Sequence, residues 1–117
     1  MIYEFGDFTL DTNRQQLRRG DQPQHLEPQV YEVLCHLLEH HDRLVTSKEM
    51  ISHVWGDRFV TPGTLNSRIK ALRQALGDDG ATQRLIQTVH GRGFRMRADV
   101  KVVADTSRAT APASLGK

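Results

Sequence analysis

A chain of 117 residues with 38% hydrophobic and 26% charged side chains is one globular domain able to bury a modest core, and its lone cysteine, Cys35, excludes a disulfide framework. No apolar run approaches the roughly 20 residues of a membrane span, and the opening MIYEFGDFTL lacks the basic-then-apolar order of a secretory signal, so a soluble, cytoplasmic segment without membrane contact is expected. The formal net charge of +2 conceals a division, with residues 1–57 summing to −5, residues 58–97 to +6 and residues 98–117 to +1, the footprint of a face that meets a polyanion.

In chain order, Ile2–Phe5, Phe8–Leu10 and Gln15–Arg18 read as short strands, separated by turn formers at Gly6-Asp7, Asp11–Asn13 and Gly20-Asp21. A fourth strand around His25-Leu26 would close a small antiparallel sheet. Glu27-Pro28 then opens a helix, proline being tolerated in the first turn. Its apolar face is Val30, Leu34, Leu37 and Leu38, broadened by Tyr31, Val33 and Cys35, and it fades near His41-Asp42. After an extended Leu44-Val45, the tetrad Thr46-Ser47-Lys48-Glu49 has the form of a capping box, in which each end residue satisfies the other's N–H. Met50, Ile51, Val54 and Trp55 are the buried stripe of the second helix, which Gly56-Asp57 ends.

Thr61 as N-cap and Pro62 at the first helical position start the third helix; Leu65, Ile69, Leu72 and Leu76 are its core stripe and Gly77 its stop. After the loop Asp78–Gln83, Leu85–Val89 and Phe94–Arg97 flank the turn His90-Gly91-Arg92-Gly93 as a β-hairpin. From Ala98 the composition shifts toward Ala, Thr, Ser and Pro, which predicts a disordered tail or linker over 98–117, after a domain at 1–97.

The third helix and the hairpin carry the functional signal. At about 100° per residue, Ser67, Lys70 and Gln74 fall opposite the core stripe, with Gly63 and Ala71 beside them. Asn66 and Arg73 lie on one flank, Thr64 and Arg68 on the other. Small side chains let a backbone approach base edges in a major groove; Asn66 can bridge adenine N6 and N7, and Lys70 or Arg68 can reach guanine or phosphate. The helix N-terminus, with the Thr64 hydroxyl, favours a phosphate oxygen. In the hairpin, Arg92 stands between two glycines at a protruding tip, suited to the negative potential of a minor groove.

Leu26 to Met96 resembles the OmpR/PhoB-type winged-helix effector domain, on L-x-P at 26–28, LVTSKEMISHVWG at 44–56, VTPGTLNSRIKALRQALG at 60–77 and IQTVHGRGFR at 86–95. The resemblance implies an α+β winged helix-turn-helix: an N-terminal four-stranded antiparallel sheet, three helices and a C-terminal β-hairpin wing. It implies sequence-specific binding of double-stranded promoter DNA by a bacterial transcription regulator, with helix 62–76 in the major groove and wing 90–93 in the minor groove. By position, Thr64, Arg68 and Arg73 are then backbone contacts. Asn66, Ser67, Lys70 and Ala71 face bases, Thr88 meets a phosphate at the wing base, and His90 and Arg92 are wing contacts. The loop Gly56–Val60 is the family's usual contact with RNA polymerase, here Asp57, Arg58 and Phe59, and a dimer or tandem on DNA is expected.

There are departures from the family pattern. Many members carry arginine where this chain has Gly63 and Ala71, and often where it has His90, so the minor-groove role moves to Arg92. Met1 opens the domain, the arrangement of ToxR/CadC-type one-component regulators, whose sensory part lies downstream, often beyond a membrane span. The competing reading is a protein-interaction module of the same fold that has given up DNA. His36-x-x-Glu39-His40 has the spacing of inverted zinc peptidases, but the sequence offers no third ligand. The two histidines therefore read as a polar helix face; no catalytic residue, metal ligand or cofactor is expected.

Overall fold

Alternation of large apolar with polar residues shapes the start of the chain, and the computed structural model, which describes residues 1–56, 58, 60–78 and 83–103, folds it into antiparallel strands. Strands β1 (Ile2–Phe5), β2 (Phe8–Asp11), β3 (Gln16–Arg19) and β4 (Gln22–Gln24) pair in succession. Tyr3, Phe5, Phe8, Leu10 and Leu17 turn inward. The Phe5 and Phe8 rings stack at 5.7 Å, and the Arg19 guanidinium lies 5.5 Å above Phe8. The fourth strand falls earlier than the expected His25-Leu26. Pro23 sits opposite Arg18 on an edge strand, where its missing N–H costs no ladder bond, and Leu26 packs against the core instead.

Helix α1 (Pro28–Glu39) buries Val30, Val33, Leu34, Leu37 and Leu38 and packs against both α2 (Ser47–Trp55) and α3 (Pro62–Leu76). Cys35, expected in the core, is only half-buried. Its burial still pushes the thiol up to about 11. Before α2 comes β5 (Val45–Thr46), and after α3 the hairpin β6 (Ile86–Val89) and β7 (Gly93–Met96), giving a second sheet in the order β5-β7-β6. Only glycine fits at the start of β7, because a Cβ on Gly93 would overlap the Val45 carbonyl oxygen of β5.

Half of the expected capping box forms. Thr46 Oγ1 accepts the Glu49 N–H at 3.1 Å. The Glu49 carboxylate does not turn back to Thr46; it accepts Arg43 at 2.9 and 2.7 Å and lies 2.8 Å from His36 Nε2. Hydrogen bonds to a cation outweigh one to a neutral N–H, and Arg43 first, then His36, holds the Glu49 carboxyl at about 2. His36, expected on a polar face, is 5% exposed. Burial there lowers the pKa of its imidazole.

A further strand, β8 (Val100–Val103), returns to pair antiparallel with β1, making the first sheet five-stranded in the order β4-β3-β2-β1-β8. These residues were expected in the tail. Val100-Lys101-Val102-Val103 is a β-branched run, and the otherwise open β1 edge supplies its hydrogen-bond partners. The folded unit thus runs past the expected boundary at 97. Residues 104–117, with the rest of the expected tail, lie outside the described residues, as do Asp57, Phe59 and 79–82.

Candidate nucleic-acid interface

Helix α3 begins where Pro62, lacking an N–H, occupies its first turn. Thr61 is extended at φ −82° but makes no side-chain cap; its Oγ1 lies 3.4 Å from Thr64 Oγ1 instead. The helix ends in a Schellman closure: Gly77 is left-handed at φ 68°, its N–H reaches the Gln74 carbonyl at 3.3 Å, and the Asp78 N–H reaches that of Arg73 at 2.9 Å. With Leu65, Ile69, Leu72 and Leu76 inward, Gly63, Asn66, Ser67, Lys70 and Gln74 are exposed. Thr64 is half-buried, and Ala71 packs in part against the core.

The wing is held at its root by polar groups. The Asp78 carboxylate, 7% exposed, accepts the N–H groups of Arg84, Leu85 and Ile86 at 2.7, 3.0 and 3.0 Å. The Arg73 guanidinium donates to Thr88 Oγ1 at 2.6 Å and to the Ile86 carbonyl at 3.1 Å. Thr88 N–H in turn donates to Gln83 Oε1 at 2.9 Å. The tip is a β-turn in which the Arg92 N–H reaches the Val89 carbonyl at 2.9 Å and Gly91 takes φ 75°, a left-handed value suited to glycine. The Arg92 carbonyl accepts the Ser47 N–H, tying the tip to the start of α2, while the side chains of His90 and Arg92 stay exposed.

These tethers separate eight of the ten expected contact residues into two sets, Thr64 and Ala71 being the half-buried remainder. Asn66, Ser67, Lys70, His90 and Arg92 are exposed; Asn66, His90 and Arg92 line one shallow groove with Ser47, Pro62 and Thr88 between α3 and the wing. Arg73 and Thr88 hold each other, and Arg68 donates to Gln29 of α1 at 2.8 Å. Of the expected polymerase-facing loop, Arg58 is exposed; Asp57 and Phe59 lie outside the described residues. Sequence reasoning missed Asp78 and Gln29. A carboxylate beside a helix C-terminus opposes the helix dipole, which is the one signal that Asp78 is held by other donors.

A three-helix core carrying a helix-turn-helix and a tethered β-hairpin defines a winged-helix DNA-binding domain. The model of the family "Transcriptional regulatory protein, C terminal" matches residues 21–96. The chain belongs to this family, the OmpR/PhoB-type DNA-binding domains. It is similar to the phosphate regulon transcriptional regulatory protein PhoB of Klebsiella pneumoniae, 31% identical over 98 residues, which are 83% of this chain and 42% of PhoB. It therefore spans less than half of that relative. Among solved structures it resembles the DNA-binding domain of Escherichia coli CadC, with a TM-score of 0.74 and 25% identity over 86% of this chain and 94% of that one. The fold is also that of the Klebsiella pneumoniae RstA DNA-binding domain in complex with the RstA box, with a TM-score of 0.75 at 21% identity over 81% of this chain and 95% of that one. Among the described residues no helix is long and apolar enough to cross a membrane.

Proposed function

We propose that this chain binds specific duplex DNA sequences as part of a larger cytoplasmic transcription regulator, with α3 in the major groove and the turn 90–93 in the neighbouring minor groove. The observation that carries this reading is the groove joining Asn66 of α3 to His90 and Arg92 of the wing, so that helix and wing can straddle one phosphate backbone. Asn66, Ser67 and Lys70 read bases, with Ala71 at the margin of that surface. The uncapped first turn of α3, with Thr64, takes a phosphate. Arg68, Arg73 and Thr88 meet the backbone while setting the angle between α1, α3 and the wing, and Arg92 enters the minor groove beside His90. Arg58, with Asp57 and Phe59, faces RNA polymerase. Two copies on repeated half-sites supply the affinity that one small module lacks.

Fluorescence titration of a selected duplex tests this. Lys70→Ala and Arg92→Ala each weaken binding and reduce the salt slope by about 1, and Asn66→Ala relaxes preference at one position by about 1–3 kcal/mol. Unchanged binding in both cation variants would refute the groove assignment.

A further inference from the structure

The feature that DNA binding leaves unused is a cluster of imidazoles at the junction of α1 and α2. His36 and His40 stand one turn apart at the end of α1, their ring centroids 4.6 Å apart, and the His53 ring of α2 lies 4.2 Å from His36 on a tilted plane. Glu49 reaches the same place from the first turn of α2, so that ligand atoms of His36, His40 and Glu49 all lie within 4.8 Å of one another. Among the described residues, His36 Nδ1 is buried without a hydrogen-bond partner. An unpaired buried nitrogen is uncommon and costly, and it marks a site whose complement is incomplete.

We infer that His36, His40 and Glu49 form a binding site for a divalent transition-metal ion of the zinc class, with His53 packed beside it. Two imidazoles and one carboxylate suit zinc, whereas calcium and magnesium take oxygen ligands. Bond lengths of about 2.0–2.2 Å require the ligand atoms to close up by roughly 1 Å from their present spread. His40 is placed to make that movement, because it terminates α1 at φ −118°, ψ 39°, outside helical geometry. His36 offers either nitrogen: Nδ1, or Nε2 at 2.8 Å from Glu49 Oε2. Arg43 grips both carboxylate oxygens from the outer side; as one turns to the ion, Arg43 keeps the other and fixes the ligand's orientation. The buried His36 lies at the back, while half-buried His40 and Glu49 and exposed His53 leave an approach from solvent. The third ligand was invisible to the H-x-x-E-H spacing because it comes from the next helix.

The test titrates ZnCl2 and CoCl2 into the metal-free chain of residues 1–117, without DNA, so that its outcome is independent of the groove assignment. Saturable binding at one ion per chain is expected, with a four-coordinate cobalt(II) visible spectrum. Zinc at a hundredfold excess over its Kd should raise Tm by roughly 10 °C. His40→Gln, at a half-buried helix end where folding is retained, should lose more than the roughly 10- to 100-fold in affinity that an outer partner costs; His25→Gln should lose none. Glu49→Gln also breaks the Arg43 pair, so His40→Gln is the deciding variant. No saturable binding, or a six-coordinate spectrum and affinity unaltered by His40→Gln, would overturn the assignment.

Discussion

The N-terminal sheet and the α3–wing unit are built on opposite plans. The sheet derives its order from apolar burial: Phe5, Phe8, Leu10 and Leu17 lie beneath it, and β1, between β2 and β8, pairs on both sides. The wing is placed by polar and steric constraints, namely the buried Asp78, the Arg73–Thr88 bond and the glycine that lets β7 approach β5. Burial is strong but non-directional, so it stabilises a platform; hydrogen bonds are weaker in net terms and directional, so they aim a finger. The first region therefore governs whether the chain folds, the second whether the folded chain fits its target.

The largest effect is expected from Phe5→Ala, which should cost about 3–5 kcal/mol in denaturant unfolding while leaving DNA affinity of the folded fraction unchanged. A parallel loss of affinity would mean that sheet and wing are energetically coupled. Asp78→Ala should cost about 1–3 kcal/mol by stranding buried N–H groups, yet weaken DNA binding out of proportion to that loss; equal effects in chemical denaturation and DNA titration would demote its aiming role. Gly63→Arg introduces a cation common in the family at a position where, among the described residues, a Cβ would meet only Thr61 Oγ1, at 3.7 Å. It should tighten binding and steepen the salt slope by about 1, with little change in Tm. The smallest effect belongs to Cys35. Burial raises its thiol to about 11, so the reactive thiolate is scarce at pH 8 and grows as pH rises. Alkylation by iodoacetamide, followed by mass spectrometry, should be slow in the native chain at pH 8 and fast once it is unfolded.

How far the sequence could be read varies by element. The stripe Leu65, Ile69, Leu72 and Leu76 predicts the buried face of α3, and with it the exposed Asn66, Ser67 and Lys70, because a helix's period fixes both faces at once. The turn 90–93 is legible from its glycines. The partners of Arg68 and Arg73 were not, since Gln29 and Thr88 lie 39 and 15 residues away and only packing brings them near. Strand β8 was hidden by the surrounding tail-like composition, because four residues acquire strand character only against the open edge of β1.

The three helices, the hairpin and the polar, cationic face follow from local period, capping and turn chemistry, which neighbouring residues set among themselves. Tertiary structure alone decided which cations stay exposed and which become struts, where the fifth strand lies, and that Glu49 meets His36 and His40. Each of these turns on the distance between residues far apart in the chain, which depends on how the whole core packs.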